Sequence, residues 1–275
     1  MDLIGKIIMP VAKNRGDRLF NLFFKSYLTM AFMFLFLPIA VIIVFSFNAD
    51  KFPSFPLRGF TFGWYVQLAN DARLLDSLKN SFIVACSVSI LSTLFGFMGA
   101  YALHSYQFKK ESIFLGIMMA PLTVPALILA LALLIFLNKI MFVHNSLISV
   151  IISHLVFCAP FAMFILRARL SSLSASLEEA AWDLGASMFQ TIKEVVLPLS
   201  IPGLIAALLL TFTLSFDEFI IAWFVSGFQP TLPVKIWTMM RAGIEPTINA
   251  IGSIVFALSM TSILVGEYFM RKKAG

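Results

Sequence analysis

SLSASLEEAAWDLGASMFQTIKEVVLPLSIPG, running from Ser172 to Gly203, is the one long charged and helix-punctuated segment of this chain. Ser176 followed by Glu179 has the spacing of a capping box, in which each side chain satisfies a backbone N–H of the other's turn. Leu177, Ala180, Ala181 and Leu184 then recur at i, i+3, i+4 and i+7, which predicts one apolar face on a short helix. Glu178, Trp182 and Asp183 point elsewhere. Gly185 supplies the left-handed residue that stops this helix. Ser187 with Gln190 has the spacing of a second capping box, opening a second short helix that Pro198 is expected to terminate. Ser200 and Pro202 read as the start of a membrane helix with proline near its first turn. The stretch predicts a helix–turn–helix between two membrane spans.

Outside this segment the chain is strongly apolar. Of its 275 residues 60% are hydrophobic and only 12% charged, with 30 phenylalanines, which excludes ordinary soluble usage. Apolar runs near 27–47, 81–103, 113–137, 147–168, 202–225 and 248–270 are each about 20 residues long, enough to cross the hydrocarbon core. The expected fold is therefore an all-α, polytopic membrane protein with six transmembrane helices. A lead of residues 1–26 precedes a membrane domain of residues 27–270, which contains the loop 169–201; a tail of 271–275 follows.

The cations orient the chain. Thirteen of the 20 Lys and Arg residues fall on the lead, the 104–112 loop, the 169–201 loop and its start, and the tail; seven fall on the other side. The richer side is expected to be cytosolic, with both termini inside. The net charge of +6 is thus a topology signal, and its scatter over membrane flanks argues against a nucleic-acid partner. Near the tail, Glu267 is placed to reach Arg271 or Lys272. Cys86 and Cys158 both lie inside spans and read as small buried residues rather than a disulfide or a metal pair.

The full string Glu179-Ala180-Ala181, three residues, Gly185, eleven residues, Leu197-Pro198 resembles the EAA loop of ABC importer permeases. Gly59-Phe60-Thr61 with Trp64-Tyr65, and Ser153-His154 with Phe157-Cys158 and Pro160-Phe161, are similar to stretches of the spermidine/putrescine-type permeases. The resemblance runs from the first span to the last. It implies the type I importer permease fold in a bacterial inner membrane. It also implies a second permease subunit, two ATP-binding cassette ATPase subunits inside, and a solute-binding protein outside. Leu177, Glu178, Glu179, Ala180, Ala181, Leu184, Gly185 and Pro198 would then form the element coupled to the ATPase, which would drive alternating access.

Other residues are candidates for the path of the solute. Pro121 and Pro125 predict a bend or break in the third span; a break exposes backbone to a path, and a packing kink explains the prolines equally. His154 inside the fourth span is costly enough to suggest a purpose, as a substrate ligand or as a neutral packing histidine. Asp217 and Glu218 in the fifth span each cost roughly 2.5–3.5 kcal/mol near the bilayer centre. They lie about 100° apart on a helix, so one can face a path while the other needs a partner, such as Thr211, Thr213 or a neighbouring subunit. An acidic lining for an organic cation and a structural pair are both consistent with them. Relatives often carry an acidic residue just after the second proline of the third span; Ala126 stands here, which keeps another small organic solute open. On the outer side, Trp64 and Tyr65 suit the headgroup zone, and Leu232 through Arg241 predicts a short interfacial helix.

There is no G-x4-G-K-[ST], HExxH, CxxC or GxSxG string. No cofactor, metal or catalytic set is expected, and ATP hydrolysis falls to a partner. An ion-driven secondary transporter is the alternative class. It would more naturally show inverted repeats and discontinuous helices, and no clear internal repeat is present.

Overall fold

The computed structural model describes residues 15–51, 56–106, 110–144, 146–174, 176–243 and 246–274, the side chains of 15–18, 258 and 262–274 excepted. Lys6, Lys13, Pro53, Lys109 and the Glu267–Arg271/Lys272 contact lie outside what is described. Among the described residues the regular elements are all helices, with one isolated bridge between Asn48 and Phe60. The chain divides into two compact units, Ala72–Thr238 on the one hand, and Met1–Asp71 with Met239–Gly275 on the other.

In the unit formed by the two ends of the chain, α1 is Arg15–Phe45, α2 is Gly63–Ala69 and α11 is Pro246–Ala274. Beyond Lys25, α1 is almost wholly apolar, with Pro38 inside it, and almost all of its large side chains there are exposed, as expected for a helix whose solvent is lipid. α11 packs along it, and Gly252 gives the room that Ile42 needs. Beyond α1 the chain is knotted by aromatics: the Phe47 ring stacks on Phe60 at 5.0 Å and meets Phe62 edge-on at 5.4 Å. Trp64 Nε1 donates to the Asn48 carbonyl at 2.8 Å, and Tyr65 Oη pairs with the buried Ser46 Oγ at 2.7 Å. These two rings therefore tie the loop to the end of α1, beyond the headgroup role expected of them.

The second unit is built on three long helices: α3 (Ala72–Ser105), α6 (Leu147–Ser171) and α8 (Met188–Asp217). The buried face of α3 is a ladder of small residues: Ser77, Ser81, Ala85, Ser89, Ser92, Gly96 and Ala100. Small residues let two backbones approach, which replaces the hydrophobic drive missing between helices in lipid. The approach is closest at Gly96, where an added Cβ would lie 2.7 Å from the Met163 amide nitrogen and 2.8 Å from Ala162 Cβ. Cys158 is buried as expected, but Cys86 is exposed: Ala85 and Ser89 take the seam positions on either side of it. Two apolar clusters fill the unit. One gathers Val84, Val88, Leu133, Leu137, Val150, Ile221 and Val225; the other gathers Phe97, Tyr101, Met163, Leu166, Leu170, Val196 and Ala207.

Two expected spans take a different form. The third is not one helix over 113–137 but a pair, α4 (Glu111–Thr123) and α5 (Ala126–Lys139), bent by 102°. The break falls at Val124-Pro125, where Val124 is extended because a residue before proline is pushed out of the helical region. The fifth span, expected over 202–225, begins much earlier and ends at Asp217; a short α9 (Ile220–Val225) follows a break at Glu218-Phe219. Among the described residues four helices are long and apolar enough to cross a membrane, or five where the bent pair is taken as one span. The sixth expected span falls in α11, whose apolar stretch among described side chains is the shorter Pro246–Thr261. α10 (Leu232–Ala242) forms where a short helix was expected, its Leu232 amide donating to Ser81 Oγ at 2.8 Å.

Candidate coupling and translocation sites

The hairpin after α6 opens with α7 (Ser176–Asp183). Ser176 is the first helical residue rather than the one before it, and its hydroxyl pairs with Ser174 Oγ at 2.7 Å, so the expected capping box with Glu179 gives way to a serine pair. The other end is as expected: Gly185 has φ 83°, a backbone that only glycine adopts freely. Its amide donates to Trp182 O at 2.9 Å and the Ala186 amide to Ala181 O at 3.0 Å, the two bonds of a Schellman stop. Ser187 and Gln190 then make a true capping box, with Ser187 N to Gln190 Oε1 at 2.8 Å.

Pro198 does not end the helix that this box opens. The chain runs on as α8 to Asp217, widening to π-type turns over Ile192–Val196 just before the proline. A wider turn moves the preceding carbonyls off the proline ring and replaces the bond that its missing N–H cannot make. Gly203, one residue after Pro202, leaves space for Arg169, whose guanidinium donates to Leu199 O at 2.6 and 3.1 Å. This joint between α6 and α8, and the Arg167–Glu111 ion pair between α6 and α4, were not foreseen from the sequence.

The apolar stripe of α7 is divided between two faces. Leu177, Glu179, Ala180 and Leu184 are exposed, Leu184 to 89%, whereas Glu178 and Ala181 are buried at 8% and 9%. Glu178 accepts from Tyr101 Oη at 3.2 Å through Oε2, and His104 Nε2 lies 3.2 Å from its Oε1. Tyr101 and His104 were missed in the sequence. The signal was there, because two hydrogen-bonding side chains three apart near a helix end share one face.

At the other end of the unit, α9 packs on α5, so the two broken helices are neighbours. Glu218 closes the break in its own strand of chain: Oε1 accepts the Ile221 amide at 2.7 Å, at the start of α9. The hydroxyls of Thr211 and Thr213, named beforehand as partners, instead bond back to carbonyls of their own helix. Asp217, the last residue of α8, is exposed. Pro121 lies within α4, and Pro125 is the N-cap residue just before α5. His154 is wholly buried between α6 and α8, with Nδ1 2.9 Å from Ser215 Oγ. The long α8 thus ends in a carboxylate pair beside a second broken helix. No group of three or more metal-ligating side chains occurs among the described residues.

Residues 92–274 match the family described as binding-protein-dependent transport system inner membrane component. The chain belongs to that family. The spermidine/putrescine transport system permease protein PotC of Escherichia coli strain K12 is 33% identical over 249 residues, 90% of this chain and 94% of that protein. The putrescine transport system permease protein PotI of the same strain is 30% identical over 252 residues, 89% of each chain. Among solved structures, a bacterial ABC transporter that imports the acidic polysaccharide alginate superimposes with a TM-score of 0.74 over 95% of this chain and 99% of that chain, at 18% identity. The methionine transporter MetNI superimposes with a TM-score of 0.60 over 78% of this chain. The permease is thus a membrane-spanning transport subunit with the ABC importer permease fold, as the resemblance of its charged loop implied.

Proposed function

We propose that this permease forms half of the membrane path of a polyamine importer, taking putrescine or spermidine inward. The likeness to PotC and PotI along nine-tenths of the chain supports that substrate class. A second permease subunit completes the path, two ATPase subunits bind inside and a solute-binding protein delivers the cation outside. Both termini face the cytosol of a bacterial cell, following the excess of Lys and Arg on that side. Within this scheme Asp217, exposed where α8 ends, is the acidic group of the path, while Glu218 is committed to α9. Pro121, Pro125 and His154 shape the helices beside it.

The observation that carries the coupling reading is the divided α7. Its outward Leu177, Ala180 and Leu184 are apolar or small, flanked by Glu179, and Gly185 frees the turn. Such a knob fits a groove on the ATPase, and Pro198 lies at the base of the rod behind it. When ATP closes the two ATPases, the hairpin moves and the helices tilt between inward-open and outward-open states. A second reading, a small organic solute that carries a carboxylate, has one specific support: α5 begins at the break, with the positive end of its helix dipole there. The test is uptake of labelled putrescine and spermidine by cells that express the full transporter as their only polyamine importer. Saturable uptake of either, competed by the other, is expected. Uptake absent for both, with ATPase stimulation by a different solute, would overturn the substrate.

A further inference from the structure

Glu178 stands out on α7 because its neighbours Leu177 and Glu179 are exposed while its own carboxylate is nearly sealed. Burying a charge is unfavourable unless it is paired and hydrogen-bonded. Partners for both carboxylate oxygens come from one face of α3: Tyr101 gives Oε2 a hydroxyl at 3.2 Å, and His104 presents Nε2 to Oε1 at 3.2 Å. The contact holds whether the imidazole is neutral, with Nε2–H donating, or protonated, as an ion pair. Tyr101 is itself buried in the cluster of Phe97, Met163, Leu166 and Leu170. The clasp therefore ends inside the junction of α3, α6 and α8 rather than at the surface.

An eight-residue helix has little rigidity of its own. α7 is held to the bundle by this clasp, by the inward Ala181 and by its packing on the start of α8. α3, 34 residues long, runs from the clasp along the Gly96 seam past Ser81 and Ser77. We propose that Glu178, Tyr101 and His104 form an intrachain latch that locks the coupling helix to α3, making α3 the element that receives the ATPase stroke. The inference rests on the coupling reading above and deepens it. Glu178 is then a positioning residue that faces the permease's own bundle, while the ATPase meets Leu177, Ala180 and Leu184.

The experiment uses the complete transporter in proteoliposomes and reads solute imported per ATP hydrolysed, with co-purification of the ATPase as the assembly control. Glu178→Ala, Tyr101→Phe and His104→Ala are compared singly and together, and Leu184→Arg is run beside them. Loss of a charge-assisted bond corresponds to about tenfold, so each latch variant is expected to retain the ATPase and lower uptake per ATP by about that factor. Because the three act on one contact, the triple variant is expected to be no worse than Glu178→Ala. His104→Gln, which keeps an N–H donor, is expected to recover most of the loss. Tyr101→Phe keeps the ring and its packing, so it reports even where Glu178→Ala reduces folded yield. Wild-type uptake per ATP in both Glu178→Ala and Tyr101→Phe, while Leu184→Arg releases the ATPase, would overturn the latch and leave the coupling reading standing. Defects that multiply across the three positions would also overturn it. If Leu184→Arg keeps both the ATPase and uptake, the coupling reading fails and the latch with it.

Discussion

Gly96→Ala adds a single methyl group to the tightest crossing in the bundle. The new Cβ would stand 2.7 Å from Met163 N, 2.8 Å from Ala162 Cβ and 2.9 Å from Ala162 C, and two of these three atoms are backbone. No rotamer relieves such a contact, so α3 and α6 must separate by roughly 1 Å to reach an ordinary carbon distance. A gap of that size forfeits about a quarter to a half of the dispersion energy at each contact along the seam. Overpacking of this kind costs about 1–3 kcal/mol, which corresponds to a fall of roughly 3–10 °C in Tm for a chain of this size. Gly116→Ala is the matched control, since nothing lies within 4 Å of its added Cβ and α4 buries none of its residues. The assay is the fraction of monodisperse detergent-solubilised protein left after heating across a temperature series. A Gly96→Ala midpoint equal to that of wild type and Gly116→Ala would refute the claim that backbone proximity, rather than side-chain filling, holds this seam.

Other expectations follow from the same geometry. Replacing Ala181 with Trp puts a large ring where α7 meets the bundle at 9% exposure; insertion into the membrane is expected to persist while ATPase stimulation and uptake fall together by about tenfold or more, measured in vesicles. Asp217→Asn is expected to raise the KM for a divalent or trivalent polyamine by about tenfold with little change in thermal midpoint. Glu218→Ala is expected to lower the midpoint through loss of a cap worth about 1 kcal/mol, and Glu218→Gln to restore it. The Arg167–Glu111 pair is partly exposed, so a double-mutant cycle on thermal stability is expected to give a coupling below about 1 kcal/mol that shrinks with added salt.

Much of this could be read from the residues because it depends on local rules. The Gly185 stop, the Ser187–Gln190 box and the Val124-Pro125 break each arise from backbone restrictions that hold wherever such residues occur. What could not be read depends on neighbours distant in sequence. Pro198 looked like a terminator, yet π-type turns absorb it, and nothing local in Ile192–Val196 announces a wider turn. Periodicity put Ala181 on the same face as Leu177, Ala180 and Leu184. The helix wheel is right, but the bundle selects a different sector because Tyr101 and His104 draw Glu178 inward. Asp217 and Glu218 were seen as a pair with one member in need of a partner. For Glu218 that partner is the amide of Ile221 at the start of α9, a helix that no local signal separates from α8.

The bent pair constrains how the protein is made. α4 and α5 have 13 and 14 residues, and a helix needs about 20 to reach across the hydrocarbon core, so neither half is a stable insertion product. The inner side of α5 is covered by Ile221 and Val225 of α9, which the ribosome delivers only after α6, α7 and all of α8 have been synthesised. Until then, α5 must wait in the bilayer with that side uncovered. Truncation just before Ile220 is therefore expected to leave a chain with α5 uncovered, degraded faster than the full-length permease in a pulse-chase.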